Sequence, residues 1–117
     1  MEFMKNGTTR TVFLISKYAV KIPSFFSWKM FLHGLLANMQ EASFSKTKWP
    51  ELCPVLFELP GGFLIVQKRA EPIDAEEYYS LSFYELTIRK DYIVPAEDKP
   101  NSWGKINGKI VAIDYGS

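Results

Sequence analysis

The sequence predicts one α+β domain: antiparallel β-hairpins packed with one long helix and a shorter helical segment. Three observations carry that expectation. Three pairs of short runs rich in β-branched and aromatic residues flank turn signals at Ser16-Lys17, Pro60-Gly61-Gly62 and Asn107-Gly108. Between the first and second pairs, apolar residues recur at helical spacing from Trp28 to about Phe44. The chain has 117 residues, 47% of them hydrophobic and 15% aromatic, which is enough for one packed core and too apolar for disorder.

The elements follow in order. Glu2–Lys5 is a weak strand signal. Thr9–Ile15 and Tyr18–Ile22 form the first hairpin, and Pro23 ends its second strand. Ser24 or Ser27 caps the helix that follows. Its apolar positions are Trp28, Leu32, Leu35 and Met39, widened by Phe31 and Leu36. Another face carries Gly34, Ala37, Asn38 and Glu41, mostly small or short, so it can approach a sheet closely. Lys46–Glu51 is a loop. Val55–Leu59 and Phe63–Gln67 form the second hairpin, where glycine supplies the positive φ of a tight turn. Lys68–Pro72 connects to a helix over Ala75–Ile88, with Asp74 and Glu77 as a capping box and a break near Ser80–Ser82. Pro95 and Pro100 mark a loop, and Trp103–Ile106 with Lys109–Asp114 closes the chain as the third hairpin.

Charge and cysteine content narrow the function classes. With 14 basic and 13 acidic residues the net charge is +1, so there is no electrostatic case for a nucleic acid or a membrane surface as partner. No apolar stretch is long enough to span a bilayer, and Met1–Thr9 does not read as a leader. A single cysteine, Cys53, forms no internal disulfide and reads as a buried thiol. The expected location is cytoplasmic. His33, the one histidine, reads as packing or surface rather than a metal ligand. Phe25, Phe26, Tyr78, Tyr79 and Phe83 are more aromatics than one small core obviously needs, so either they form a protein interface or all are buried.

Three charged residues have the order and spacing of a phosphate site. Lys21 ends the strand Tyr18-Ala19-Val20-Lys21, Glu41 lies twenty residues on in the long helix, and Asp114 follows the last strand just before Tyr115-Gly116. A strand lysine can neutralise phosphate oxygens, a helix glutamate can aim that lysine, and a separate carboxylate can hold a magnesium ion.

These residues resemble the motifs of the protein-kinase superfamily. Tyr18-Ala19-Val20-Lys21 is similar to the kinase Val-Ala-Ile-Lys strand, and the Trp28–Phe44 helix is similar to αC with Glu41 as its ion-pair glutamate. Val55–Leu59 and Phe63–Gln67 resemble the fourth and fifth strands. Gln67-Lys68-Arg69-Ala70 resembles the hinge whose backbone reads adenine. Ile113-Asp114-Tyr115-Gly116 resembles the Asp-Phe-Gly motif. The resemblance spans about Thr9 to Gly116. It implies a reduced kinase-like fold lacking the helical C-lobe, with Lys21, Glu41, Gln67, Lys68, Arg69, Asn101 and Asp114 as nucleotide-binding candidates. ATP and Mg are the implied cofactors, with Asp114 as the magnesium ligand. The outline is also similar to that of short kinase-like proteins of phage and prophage genomes.

The chain departs from the family pattern in its phosphate loop and catalytic loop. Asn6-Gly7-Thr8-Thr9 has one glycine where a kinase has several. The kinase catalytic aspartate is followed five residues later by asparagine. Here Asp98 is followed by Asn101 three residues later, and Glu97 at the five-residue spacing meets Ser102. Glu97 and Asp98 are the candidate bases. The expected function is therefore a pseudokinase-type protein that binds an unidentified protein partner without phosphoryl transfer. The alternatives are a small ATP-dependent phosphotransferase and a structural dimer with no ligand.

Overall fold

The computed structural model describes residues 2–5, 10–25 and 27–116, the first four by their backbone alone. Thr9, Gly7 and Phe26, which entered the sequence expectations, lie outside the described residues. The fold is α+β with two antiparallel sheets. The larger sheet contains β1 (Glu2–Lys5), β2 (Arg10–Ile15), β3 (Tyr18–Pro23), β4 (Val55–Leu59) and β5 (Leu64–Lys68), in the order β1-β2-β3-β5-β4. The smaller contains β6 (Glu71–Pro72), β7 (Trp103–Ile106) and β8 (Lys109–Ala112). The weak signal at Glu2–Lys5 is a full edge strand, pairing Glu2 with Leu14 and Lys5 with Thr11. The third hairpin stands in its own sheet, where the connector at Glu71–Pro72 pairs with β7.

The turns follow the local chemistry. Asn107 and Gly108 both have positive φ, 54° and 80°, as a two-residue hairpin turn requires. Pro60–Gly62 forms a short 3-10 turn between β4 and β5. Gly62 there has φ 80°, and a Cβ on it would lie 2.1 Å from the carbonyl oxygen of Leu35. Only a glycine lets this turn press against the helix backbone.

Helix α1 spans Trp28–Ser45. The Ser27 side chain caps it by accepting a hydrogen bond from Met30 N at 3.1 Å. The short helices α2 (Ala75–Tyr79) and α3 (Phe83–Thr87) fill the expected segment, with the break where Ser80–Ser82 predicted it. Asp74 caps α2 through Glu77 N, and Ser82 caps α3 through Glu85 N.

The buried face of α1 is Gly34, Ala37, Asn38, Glu41 and Ala42, which lies against the large sheet. Small side chains allow a close approach, and the apolar stripe at Trp28, Leu32, Leu36 and Met39 points outward and is exposed. The apolar core lies in the other half. There Leu52, Ile73, Tyr78, Val94, Trp103, Ala112 and Tyr115 pack together, with Phe44 from the end of α1 against them. The 51–53 segment joins the halves: Ala112 N donates to Glu51 O (2.7 Å) and Cys53 N to Ala112 O (2.8 Å). Among the described residues no helix is long and apolar enough to cross a membrane.

Candidate functional site

The site forms where β2, β3, α1 and the residue pair after β8 meet. Strand alternation aims two cations at the helix. Along β3 the buried positions are Ala19, Lys21 and Pro23, and along β2 they are Arg10 and Val12. Val12 pairs with Lys21 and Arg10 with Pro23, so both cations leave the same face of the sheet. Asn38 and Glu41, three apart on α1, meet them from the other side. The chain leaving β8 is placed by Ile113 N, which donates to Ser102 O at 2.8 Å.

Lys21, Glu41 and Asp114 converge, as their spacing predicted, and Arg10 ties them together. Lys21 Nζ donates to Glu41 Oε1 and to the carbonyl of Ile113, each at 2.5 Å. Arg10 Nη2 lies 2.6 Å from Asp114 Oδ1 and 3.0 Å from Glu41 Oε2. Arg10 Nη1 donates to Asn38 Oδ1 at 3.1 Å. Asn38 Nδ2 donates to the carbonyls of Lys21 (3.2 Å) and Gly62 (2.9 Å). Glu41 Oε2 also accepts from Tyr115 N at 3.2 Å. Arg10, Lys21, Asn38 and Glu41 are buried, whereas the Asp114 side chain is 26% exposed and is where the cluster meets solvent.

The electrostatics follow from two cations and one carboxylate that are buried, with a second carboxylate, Asp114, at the solvent edge. Burial is the largest influence on Lys21 and, with the like charge of Arg10, holds its pKa below the ordinary lysine value against the pull of Glu41. Burial acts the same way on Arg10, but Glu41 and Asp114 outweigh it, so its pKa is raised and it stays charged. The paired charges balance, and a phosphate gains no net attraction from the cluster as it stands. Among the described residues there is no group of three or more His, Cys, Asp or Glu placed to hold a metal ion. The donor set at Asp114 fits magnesium poorly while Arg10 sits on its carboxylate.

The other candidates make their contacts elsewhere. Gln67 is buried on β5 and donates from Nε2 to Cys53 O at 3.2 Å. Lys68 N donates to Pro54 O, and Lys68 O accepts from Cys53 Sγ at 3.0 Å. Arg69 N donates to Lys17 O, and its Nη1 donates to Ser16 O at 3.1 Å. Backbone groups of the hinge-like segment are thus bonded within the chain. Asp98 accepts from the Tyr78 hydroxyl at 2.7 Å, and Glu97 pairs with Lys99 at 3.3 Å. Asn101 is exposed in the turn Pro100–Ser102. Cys53 is buried as expected, its thiol pushed up to about 12 by burial, and His33 is exposed.

Sequence reasoning missed Arg10. Its signal was a charge in register with Val12 on the inward side of β2. Asn38 was read as a short residue on the close-packing face, not as a ligand of Arg10.

Searches against protein-family models, curated proteins and solved structures found no match for this chain.

Proposed function

We propose that this chain is a minimal kinase-like protein of the pseudokinase type, which binds a partner protein and does not transfer phosphoryl groups. The observation that carries the reading is the 2.5 Å Lys21–Glu41 ion pair joined to Asp114 through Arg10. A lysine on a strand, a glutamate on the facing helix and an aspartate after a later strand are the parts that a kinase-like nucleotide site needs. Their meeting in space supports the relationship beyond the order of the motifs.

The same geometry favours binding over catalysis. The ammonium that would meet phosphates is engaged by Glu41 and the Ile113 carbonyl. The carboxylate that would hold magnesium is engaged by Arg10. The candidate bases, Asp98 and Glu97, are engaged with Tyr78 and Lys99. Phosphoryl transfer depends almost entirely on positioning and charge stabilisation, and each group here serves an internal contact.

A nucleotide-dependent phosphotransferase is the second reading, and the partial exposure of Asp114 is what favours it. In that case Arg10 would leave Asp114 when ATP and Mg enter. The deciding experiment incubates the protein with labelled ATP and magnesium, alone and with cell extract, beside Asp114→Asn. The expected result is no transfer in either protein. Transfer by the wild type that disappears in Asp114→Asn would establish the phosphotransferase instead. Thermal melting in the same mixtures reads binding separately: a nucleotide that binds only the folded state at about 100 times its Kd stabilises by roughly 2.7 kcal/mol.

A further inference from the structure

Helix α1 buries its small and polar face and leaves its apolar face exposed. We propose that the protein self-associates as a two-fold symmetric dimer through the exposed apolar face of α1, with the two helices antiparallel. The proposal deepens the partner-binding reading by naming the partner, and it uses the side of α1 opposite Glu41.

The face is large and continuous. Phe25, Trp28, Leu32, Leu36, Met39 and Phe63 are 74, 76, 54, 49, 43 and 54% exposed. At ~200 Å² per large side chain they present roughly 700 Å² of apolar surface. A standard interface takes about 800 Å² from each partner, whereas isolated exposed apolar residues on a monomer are scattered. Here they join. Phe31 contacts the rings of Phe25 (5.2 Å), Trp28 (5.7 Å) and Phe63 (6.3 Å), and Met39 shares a cavity with Leu59 and Gly62 at the far end.

An isologous contact sets the two ends of the face against each other. The amino end carries Trp28, which with Phe25, Ser27 and Phe31 borders a hollow of about 260 Å³. The carboxyl end carries a second hollow, of about 170 Å³, bordered by Met39, Ser43, Lys46, Glu58 and Leu59. With the two-fold axis between Leu35 and Leu36, antiparallel helices bring Leu32 opposite Met39. Trp28 then lies opposite Ser43, at the rim of that hollow and beside the Lys46 ammonium, where a cation–π contact is favourable. The exposed surface of α1 has no acidic residue, its one glutamate being the buried Glu41. A parallel pairing would stack Trp28 on Trp28 and Lys29 on Lys29.

The test is sedimentation equilibrium of the full chain over a concentration series. The expected mass reaches twice the 13.5 kDa of one chain. Leu32→Glu should weaken the dimer by roughly 100-fold or more, since two Leu32 contacts are lost per dimer, while its circular dichroism and melting stay those of a folded monomer. Orientation is read by crosslinking. Leu36→Cys, next to the axis, should link to itself through a short bismaleimide while Cys53 stays buried. Lys29→Cys should not, because antiparallel helices hold the two positions roughly 20 Å apart. A monomer throughout the series overturns the proposal and leaves the face to a different protein. A dimer unchanged by Leu32→Glu, or equal crosslinking at both cysteines, also overturns it.

Discussion

Where α1 meets β2 and β3, the buried contact is made by Arg10, Lys21, Asn38 and Glu41; where β7 and β8 meet α2 and α3, it is made by Ile73, Tyr78, Val94, Trp103 and Tyr115. The second interface is an ordinary apolar core, with its strength spread over many contacts of similar kind. The first is polar, with Arg10, Lys21 and Glu41 compensating one another and Asp114 at 2.5–3.0 Å. An apolar core tolerates replacement by volume. A buried charge cluster tolerates removal of all its members better than removal of one, because one removal leaves the rest uncompensated in a dry space. The difference teaches that loss of one residue is felt as stranded charge at the first interface and as a cavity at the second.

Glu41→Ala is expected to have the largest effect. It leaves Lys21 and Arg10 buried with one carboxylate between them and should cost about 3–5 kcal/mol in urea unfolding. Trp103→Ala in the other half should cost about 3–5 kcal/mol as well, by cavity formation. The two should separate under rescue. Adding Lys21→Met to Glu41→Ala removes one of the stranded charges and should recover a large part of the loss. No apolar second substitution restores Trp103→Ala to the same degree without refilling the cavity. If Lys21→Met brings no recovery, the cluster is not held by charge compensation and the contrast fails.

Smaller in size, and opposite in sign, is the effect of replacing the three buried charged residues together. The triple variant Arg10→Met, Lys21→Met, Glu41→Leu should be neutral or stabilised by about 1–4 kcal/mol relative to wild type. Urea midpoints check this directly. A stable triple variant that loses binding of the natural partner would mean that the charges are kept for function. A triple variant as unstable as Glu41→Ala would mean that they are kept for the fold.

The smallest expected effect concerns pH. The C-terminal half has its own ionised group, Glu51, which accepts from Arg89 Nε and the Tyr92 hydroxyl, each at 2.6 Å. Burial pushes the Glu51 carboxyl up, but the Tyr92 and Arg89 hydrogen bonds outweigh it, and its pKa lies below the ordinary 4.5. A depressed folded pKa means that the unfolded chain takes up the proton first. The contribution of Glu51 is therefore fully present above pH 4.5 and is lost as pH falls through the folded value. Unfolding midpoints from neutral to acid pH should fall less steeply below pH 4.5 in Glu51→Gln than in wild type. Equal slopes would remove Glu51 as a source of the acid sensitivity.

The local chemistry of the sequence was enough for the elements. Asn107-Gly108, Pro60-Gly61-Gly62 and Ser16-Lys17 placed the hairpins, and Ser27 and Asp74 placed helix starts, because turns and caps are satisfied by neighbours within a few residues. The close-packing face of α1 was legible for a related reason, since Gly34, Ala37, Asn38 and Glu41 share one phase of the helix; the burial of Lys21 in register with Ala19 on β3 was not read from the sequence. Other features were decided by the tertiary structure alone. Hydrophobicity marks Trp28, Leu32 and Met39 as the face of α1 to bury, yet the helix turns them outward. The sheet and the Gly62 turn come so close to the helix backbone that only small side chains fit between. Arg10 joined the cluster across 104 residues to reach Asp114. The split into two sheets likewise rests on Glu71–Pro72 finding β7, thirty-odd residues on. Such contacts have no local signature, since their free energy comes from groups that meet only once the chain has packed.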